Sequence, residues 1–259
     1  MDFGIAGKHA LVCASSSGLG KACAISLSLE GAEVWINGRD AGRLEAAAVE
    51  IDTLTGRRPH TVLADVDTAE GRATVLAACP APDILVCNSG GPKPGRLEDW
   101  TETAWSEIVA AKMISPILLI QSMIGGMRER GFGRVVAITS AMVKTPKFPM
   151  ALSTGPRAGL TAFCKALAGE VASDGVTVNC ILPEKVETDR LAQMTRSLAR
   201  VRKIDEVNAR AEMVSSIPAG RFGRPSEVGD ACAFLCSDRA GYITGQNLQL
   251  DGGAYSGLI

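Results

Sequence analysis

Aromatic residues make up only 4% of the 259-residue chain, and it has just two histidines, His9 and His60. A core without aromatic bulk must be filled by Ala, Val, Leu and Ile, which suits a parallel sheet whose strands read as continuous apolar runs. An excess of one charge is missing too: 27 Lys and Arg stand against 28 Asp and Glu, for a net charge of −1. No whole-chain field draws the protein to nucleic acid or a membrane surface, so a small-molecule ligand is expected. The eight cysteines (13, 23, 79, 87, 164, 180, 232, 236) include no C-x-x-C pair and fall in apolar segments such as LVCA and ILVCN. They read as small buried apolar residues in a reducing compartment. Cys232 and Cys236 have helical spacing but no histidine nearby, so no metal is expected. The segment MDFGIAGKHALVCA lacks the pattern of a signal peptide, and no apolar stretch approaches the roughly 20 residues that cross a bilayer. The expectation is a cytoplasmic protein.

What is present is alternation. Short β-branched runs near 8–14, 32–37, 59–64, 83–87, 133–139, 176–182 and 247–250 are separated by helical patterns. That order argues a parallel sheet assembled from right-handed βαβ units in a single domain spanning 1–259. The stretch at about 188–217 is polar, basic in its middle and inserted between the sixth and seventh strands. At the carboxyl ends of the strands it reads as a lid, or else as a solvated helical hairpin.

Between the first strand and first helix lies Ser15-Ser16-Ser17-Gly18-Leu19-Gly20. Such a turn brings backbone N–H groups and a helix N-terminus to a phosphate. With Cys13 and Ala14 it resembles the T-G-x-x-x-G-x-G motif of the short-chain dehydrogenase/reductase family, Ala14 replacing the first glycine. Asp65-Val66 resembles that family's adenine-contacting pair. Cys87-Asn88-Ser89-Gly90 resembles its N-N-A-G, and the run from Pro218 to Gly253 follows its tail. The resemblance covers essentially the whole chain. It implies a Rossmann-type, doubly wound α/β fold with a seven-stranded parallel sheet, helices on both faces, and a homo-oligomer, dimer or tetramer.

The second strand ends at Asn37-Gly38-Arg39, without the acid that would hold an NAD ribose. Arg39 beside three serines suits a 2′-phosphate, so NADP(H) is expected over NAD(H), the other reading being a surface arginine. In the family, a serine closing the fifth strand is followed thirteen residues on by the proton-donating tyrosine, and four further by a lysine. Ser140 fits the serine, but Ser153 and Arg157 hold the other two places. A serine hydroxyl is a far weaker acid than tyrosine, and arginine stays protonated. Both histidines open strands, at the far edge. Lys112, where the family keeps an asparagine, is the best substitute acid, against a lysine packed by its stem. The resemblance further implies nicotinamide contacts from Pro183, Val186 and Thr188. Glu184 adds a charge where the family has glycine, and Tyr255 lies in a tail that reaches a neighbouring site in some relatives.

Two functions follow. The first is an NADP-dependent oxidoreductase acting on a small carbonyl or alcohol, a 3-oxoacyl-like substrate among the candidates, with a non-standard proton donor. The second is an inactive cofactor-binding or structural subunit. A nucleic-acid role for Arg190, Arg196, Arg200, Arg202, Lys203 and Arg210 is less simple than a solvated face.

Overall fold

The strands form because their residues are apolar on both sides. In a computed structural model, which describes residues 2–92 and 94–258, seven parallel strands run β1 (His9–Val12), β2 (Glu33–Gly38), β3 (His60–Leu63), β4 (Ile84–Cys87), β5 (Gly133–Ile138), β6 (Val176–Pro183) and β7 (Asn247–Leu250). Their spatial order is β3-β2-β1-β4-β5-β6-β7. Alternate side chains feed two cores: Ala10, Val12, Ile84, Val86, Val136 and Ile181 face one side. Leu11, Leu85, Cys87, Val135, Ala137 and Cys180 face the other. This period of two on a sheet covered on both faces is what makes the central strands largely apolar, while the edge strands β3 and β7 are mostly half-buried or exposed.

The first face is covered by α1 (Gly18–Leu29), α2 (Ala41–Thr55) and α9 (Pro225–Cys236). α1 and α9 cross closely: a Cβ on Gly229 would lie 2.5 Å from the Ala22 carbonyl oxygen. On the second face lie α3 (Ala69–Ala78), α4 (Glu102–Val109), α5 (Ser115–Glu129) and α6 (Ala151–Val171). α7 (Asp189–Arg202) and α8 (Glu206–Ser215) form a helical pair between β6 and α9, where the inserted stretch was expected.

One expectation needs correction. α4 runs through a π-helical turn at Ala110–Ile114 into α5, so Glu102–Glu129 is a single helical run of 28 residues. By length and composition alone it is long and apolar enough to cross a bilayer, although the sequence appeared to hold no such stretch. Here it is a layer helix packed on α6 and β5. Glu107, Lys112 and Pro116 break the apolar pattern in the sequence without breaking the helix. Pro116 also accounts for the wide turn: it offers no N–H to the carbonyl of Lys112, four residues back, and its ring crowds that carbonyl.

The strand order reverses between β1 and β4, which opens a crevice at their carboxyl ends. At the opposite edge His9 and His60 flank Trp35, and both reach Glu33, at 3.4 and 2.7 Å.

Candidate active site

The phosphate turn is held from three sides. Ser15 is fully buried; its Oγ donates to the Val12 carbonyl at 2.7 Å and accepts from the Asn37 N–H at 2.9 Å. Its N–H donates to the Asn37 carbonyl at 2.8 Å, so side chain and N–H both brace the turn and Ser15 is not free to meet a phosphate, contrary to expectation. Asn88 Nδ2 donates to the Ala14 carbonyl at 3.0 Å. A Cβ on Gly20 would meet that carbonyl oxygen at 2.6 Å and Asn88 Nδ2 at 2.7 Å, so only glycine fits. Ser17 is extended at the start of α1 and its hydroxyl makes no capping bond. Gly18 and Leu19 open the helix, whose free N–H groups are an anion site.

Ala14 adopts φ +45, the left-handed region that the family's glycine occupies freely. For a residue with a Cβ this costs roughly 1–2 kcal/mol, partly offset by glycine's greater freedom when unfolded. Ala14→Gly is expected to raise stability by about 1 kcal/mol, seen as a higher urea midpoint with unchanged slope. A lower midpoint would show that the alanine methyl packs usefully.

Asn37 is buried beneath the turn. Its Nδ2 donates to the carbonyls of Val62 and Ala64, each at 3.0 Å, and its Oδ1 accepts from the Ala14 N–H at 3.4 Å. Arg39, beyond it, is exposed and pairs with Asp65 at 3.4 Å. Ser16 leans over Gly38, where an added Cβ would be 3.0 Å from its Oγ. Ser16 and Arg39 thus share one corner of the crevice. Asp65 and Val66 are fixed in place: Asp65 Oδ1 accepts from the Asp67 N–H, and Ser115 Oγ and Arg72 both donate to the Val66 carbonyl.

Ser153 is 2% exposed and accepts a hydrogen bond from the Arg157 guanidinium one turn along α6. Arg157 and Lys112 line one cleft with Val66, Asp67, Asn88 and Ser89. Lys112 is 5% exposed, on the π-helical turn. Burial pulls its pKa down to about 8, an effect opposed by Asp67 and reinforced by Arg157, Arg39 and Arg190. Burial, then Arg190, brings Arg157 down to about 10. Burial raises the Asp67 carboxyl, while Lys112 pulls it back. Ser140 follows β5, and its Oγ accepts from the Met142 N–H at 3.2 Å. Ser140 and Ser153 do not line the cleft shared by Lys112 and Arg157.

Past β6, the Glu187 N–H bonds to Gly223 and the Lys185 carbonyl accepts from it, so Val186 directs its own N–H and carbonyl away from Gly223. Thr188 caps α7, and its methyl would be 3.7 Å from a Cβ on Gly18. Glu184 reaches Lys147 at 3.3 Å instead of solvent. Gly90 is exposed, and a Cβ there would meet nothing within 4 Å. Tyr255 lies under the Lys144 ammonium, 5.1 Å from its ring centre, within its own subunit.

Sequence reasoning missed Arg190. It was grouped with a solvated face, but it donates to the Gly91 carbonyl at 2.8 Å and to that of Pro92, closing α7 onto the loop after β4. Arg43 and Asp189, 3.6 Å apart, fasten the same helix to α2.

A parallel sheet with this strand order, a glycine turn at the switch point and a cleft at the strand ends defines a dinucleotide-binding α/β protein. The family described as Enoyl-(Acyl carrier protein) reductase matches residues 13–255. 3-oxoacyl-[acyl-carrier-protein] reductase FabG of Escherichia coli (strain K12) is 34% identical over 253 residues, 96% of this chain and 98% of its own length. L-sorbose reductase from Gluconobacter frateurii, solved with NADPH and L-sorbose, superposes with a TM-score of 0.93 at 31% identity over the full length of both. An actinorhodin polyketide ketoreductase solved with NADPH gives 0.90 at 28% identity, over 97% of this chain and 98% of that one. The chain belongs to the short-chain dehydrogenase/reductase family, and so to the oxidoreductases.

Proposed function

We propose that the protein is an NADP(H)-dependent reductase of small carbonyl compounds, or a dehydrogenase of the matching alcohols, with Lys112 as proton donor. The observation that carries this is the buried Lys112 ammonium, brought to about pKa 8, sharing a cleft with Arg157, Asn88 and Ser89. A group titrating near the operating pH is what general acid catalysis needs. The turn suits the nucleotide: Gly20 lets the start of α1 pack directly against the Ala14 carbonyl and Asn88, and the helix N-terminus offers donors.

Ser16, Ser17, Gly18 and Leu19 hold the pyrophosphate, and Asp65 and Val66 the adenine. Asn88, Ser89 and Gly90 line the ribose path. Pro183, Val186 and Thr188 lie at the carboxamide end. The bound nicotinamide supplies the hydride. The chain's residues do the rest: Arg157, braced by Ser153, provides fixed positive charge and Lys112 delivers the proton. Arg39 and Ser16 meet the 2′-phosphate and set the cofactor choice, a reading supported by relatives solved with NADPH.

Losing a charge-assisted contact of that kind costs roughly 1.5–3 kcal/mol, so Arg39→Ala is expected to weaken NADPH binding by about 10- to 100-fold and leave NADH unchanged. Isothermal calorimetry with both nucleotides checks this, and equal losses for the two would remove Arg39 from the 2′-phosphate site. The function itself is tested by NADPH oxidation over a panel of carbonyl compounds. A nucleotide-dependent rise in Tm without turnover on any of them would favour a cofactor-binding subunit, the reading prompted by the loss of tyrosine and lysine. We infer a homodimer or homotetramer acting in the cytoplasm, in line with the family.

A further inference from the structure

The cleft behind Asn88 holds more positive charge than it holds acceptors. Among the described residues, the nearly buried Lys112 ammonium makes no hydrogen bond and has no carboxylate within ion-pair distance, although Asp67 lines the same cleft. Arg157 carries five N–H donors, and its one side-chain hydrogen bond among those residues goes to Ser153 Oγ. Arg190 adds a third cation close enough to lower the pKa of both, while its own fork is committed to the Gly91 and Pro92 carbonyls. Cations withdrawn from water are costly unless an anion meets them. Lys112 is buried and Arg157 and Arg190 are half-buried, and Asp67 is the one carboxylate among the described residues that lines the cleft.

The nucleotide's phosphates have their own donors elsewhere, at the Ser16–Gly20 turn and at Arg39. What remains is an anion brought by the substrate, and a planar guanidinium with free donors matches a carboxylate. We propose that the substrate is an oxo acid, its carboxylate held by Arg157 and its reacting carbonyl oxygen turned to Lys112. The proposal rests on the oxidoreductase reading. In the reductive direction the carbonyl carbon gains a hydride as NADPH becomes NADP+, the oxygen takes a proton from Lys112, and the product is the hydroxy acid. Lys112 then regains its proton from solvent.

The test compares short 2-oxo and 3-oxo acids with their own methyl esters, which differ in charge and hardly in shape. The wild-type protein with NADPH should prefer the acids by at least about 30-fold in kcat/KM, the lower range for removing one member of a desolvated charge pair. Arg157→Gln should bring the ratio towards one, mainly through KM, and Arg157→Lys should restore part of it. Thermal melts establish that both variants fold, and the wild-type ratio stands without them. Acids and esters reduced equally well by the wild type would overturn the proposal and leave the oxidoreductase reading intact. If neither is reduced, calorimetric titration of malonate into the NADPH-loaded protein decides. Binding that is lost in Arg157→Gln sustains the anion site while the reductase reading fails, and no binding ends the proposal.

Discussion

Replacing Lys112 by methionine is expected to make the nucleotide-free protein more stable and the enzyme far slower. In the unfolded chain this lysine titrates near its ordinary 10.5; in the folded protein burial brings it to about 8. At neutral pH the fold therefore carries a charge it disfavours, by roughly 3 kcal/mol at about 1.36 kcal/mol per pH unit. Methionine removes that penalty, in which the attraction of Asp67 is already counted, so the net gain is about 3 kcal/mol. The sign is specific. Between about pH 8 and 10.5 the unfolded state binds the extra proton, so wild-type stability rises with pH in that window, and the variant lacks the rise. Reduction needs the protonated amine, so wild-type carbonyl reduction declines above about pH 8 while the reverse oxidation increases. Removing a general acid lowers turnover by about 10²–10⁴-fold. Urea melts at pH 7 and 10, with NADPH oxidation rates beside them, check all of this. Turnover at the wild-type rate in Lys112→Met would place the proton donor elsewhere.

The second large effect is structural. Asn37→Asp exchanges a buried amide that donates to two carbonyls for a carboxylate that repels both. Leaving the Val62 and Ala64 oxygens without a donor, against a buried charge, costs roughly 3–5 kcal/mol, a large share of a typical 5–15 kcal/mol stability. A fall in Tm of about 10 °C is expected for a domain of this size. A shift below about 2 °C would mean that the amide does not clamp the strand ends.

The strands could be located from the sequence because a parallel sheet buried on both faces leaves continuous apolar runs, as in Ile84–Cys87, where every residue is buried. The phosphate turn was readable because glycine there answers to backbone contact: Gly20 has no alternative. Side-chain direction was not readable. Ser15, Ser16 and Ser17 are the same letter three times, yet Ser15 turns inward to Asn37 while Ser16 leans towards Arg39's corner. Arg190 sits in a charged, amphipathic helix whose pattern indicates solvent, and only the loop of Gly91 and Pro92, a hundred residues away in sequence, reveals its partner. Lys112 is marked in the sequence by standing where the family keeps an asparagine. Its burial depended on a wide helical turn that composition does not announce, although Pro116 four residues on is the mark of it.

The eight buried thiols have a use unconnected with catalysis. Cys23, Cys232 and Cys236 belong to the core on one face of the sheet, and Cys13, Cys79, Cys87, Cys164 and Cys180 to the core on the other. Each is sealed from reagents while its layer stays closed, so the order in which the peptides bearing them become alkylated is a chronicle of which side of the molecule opens first.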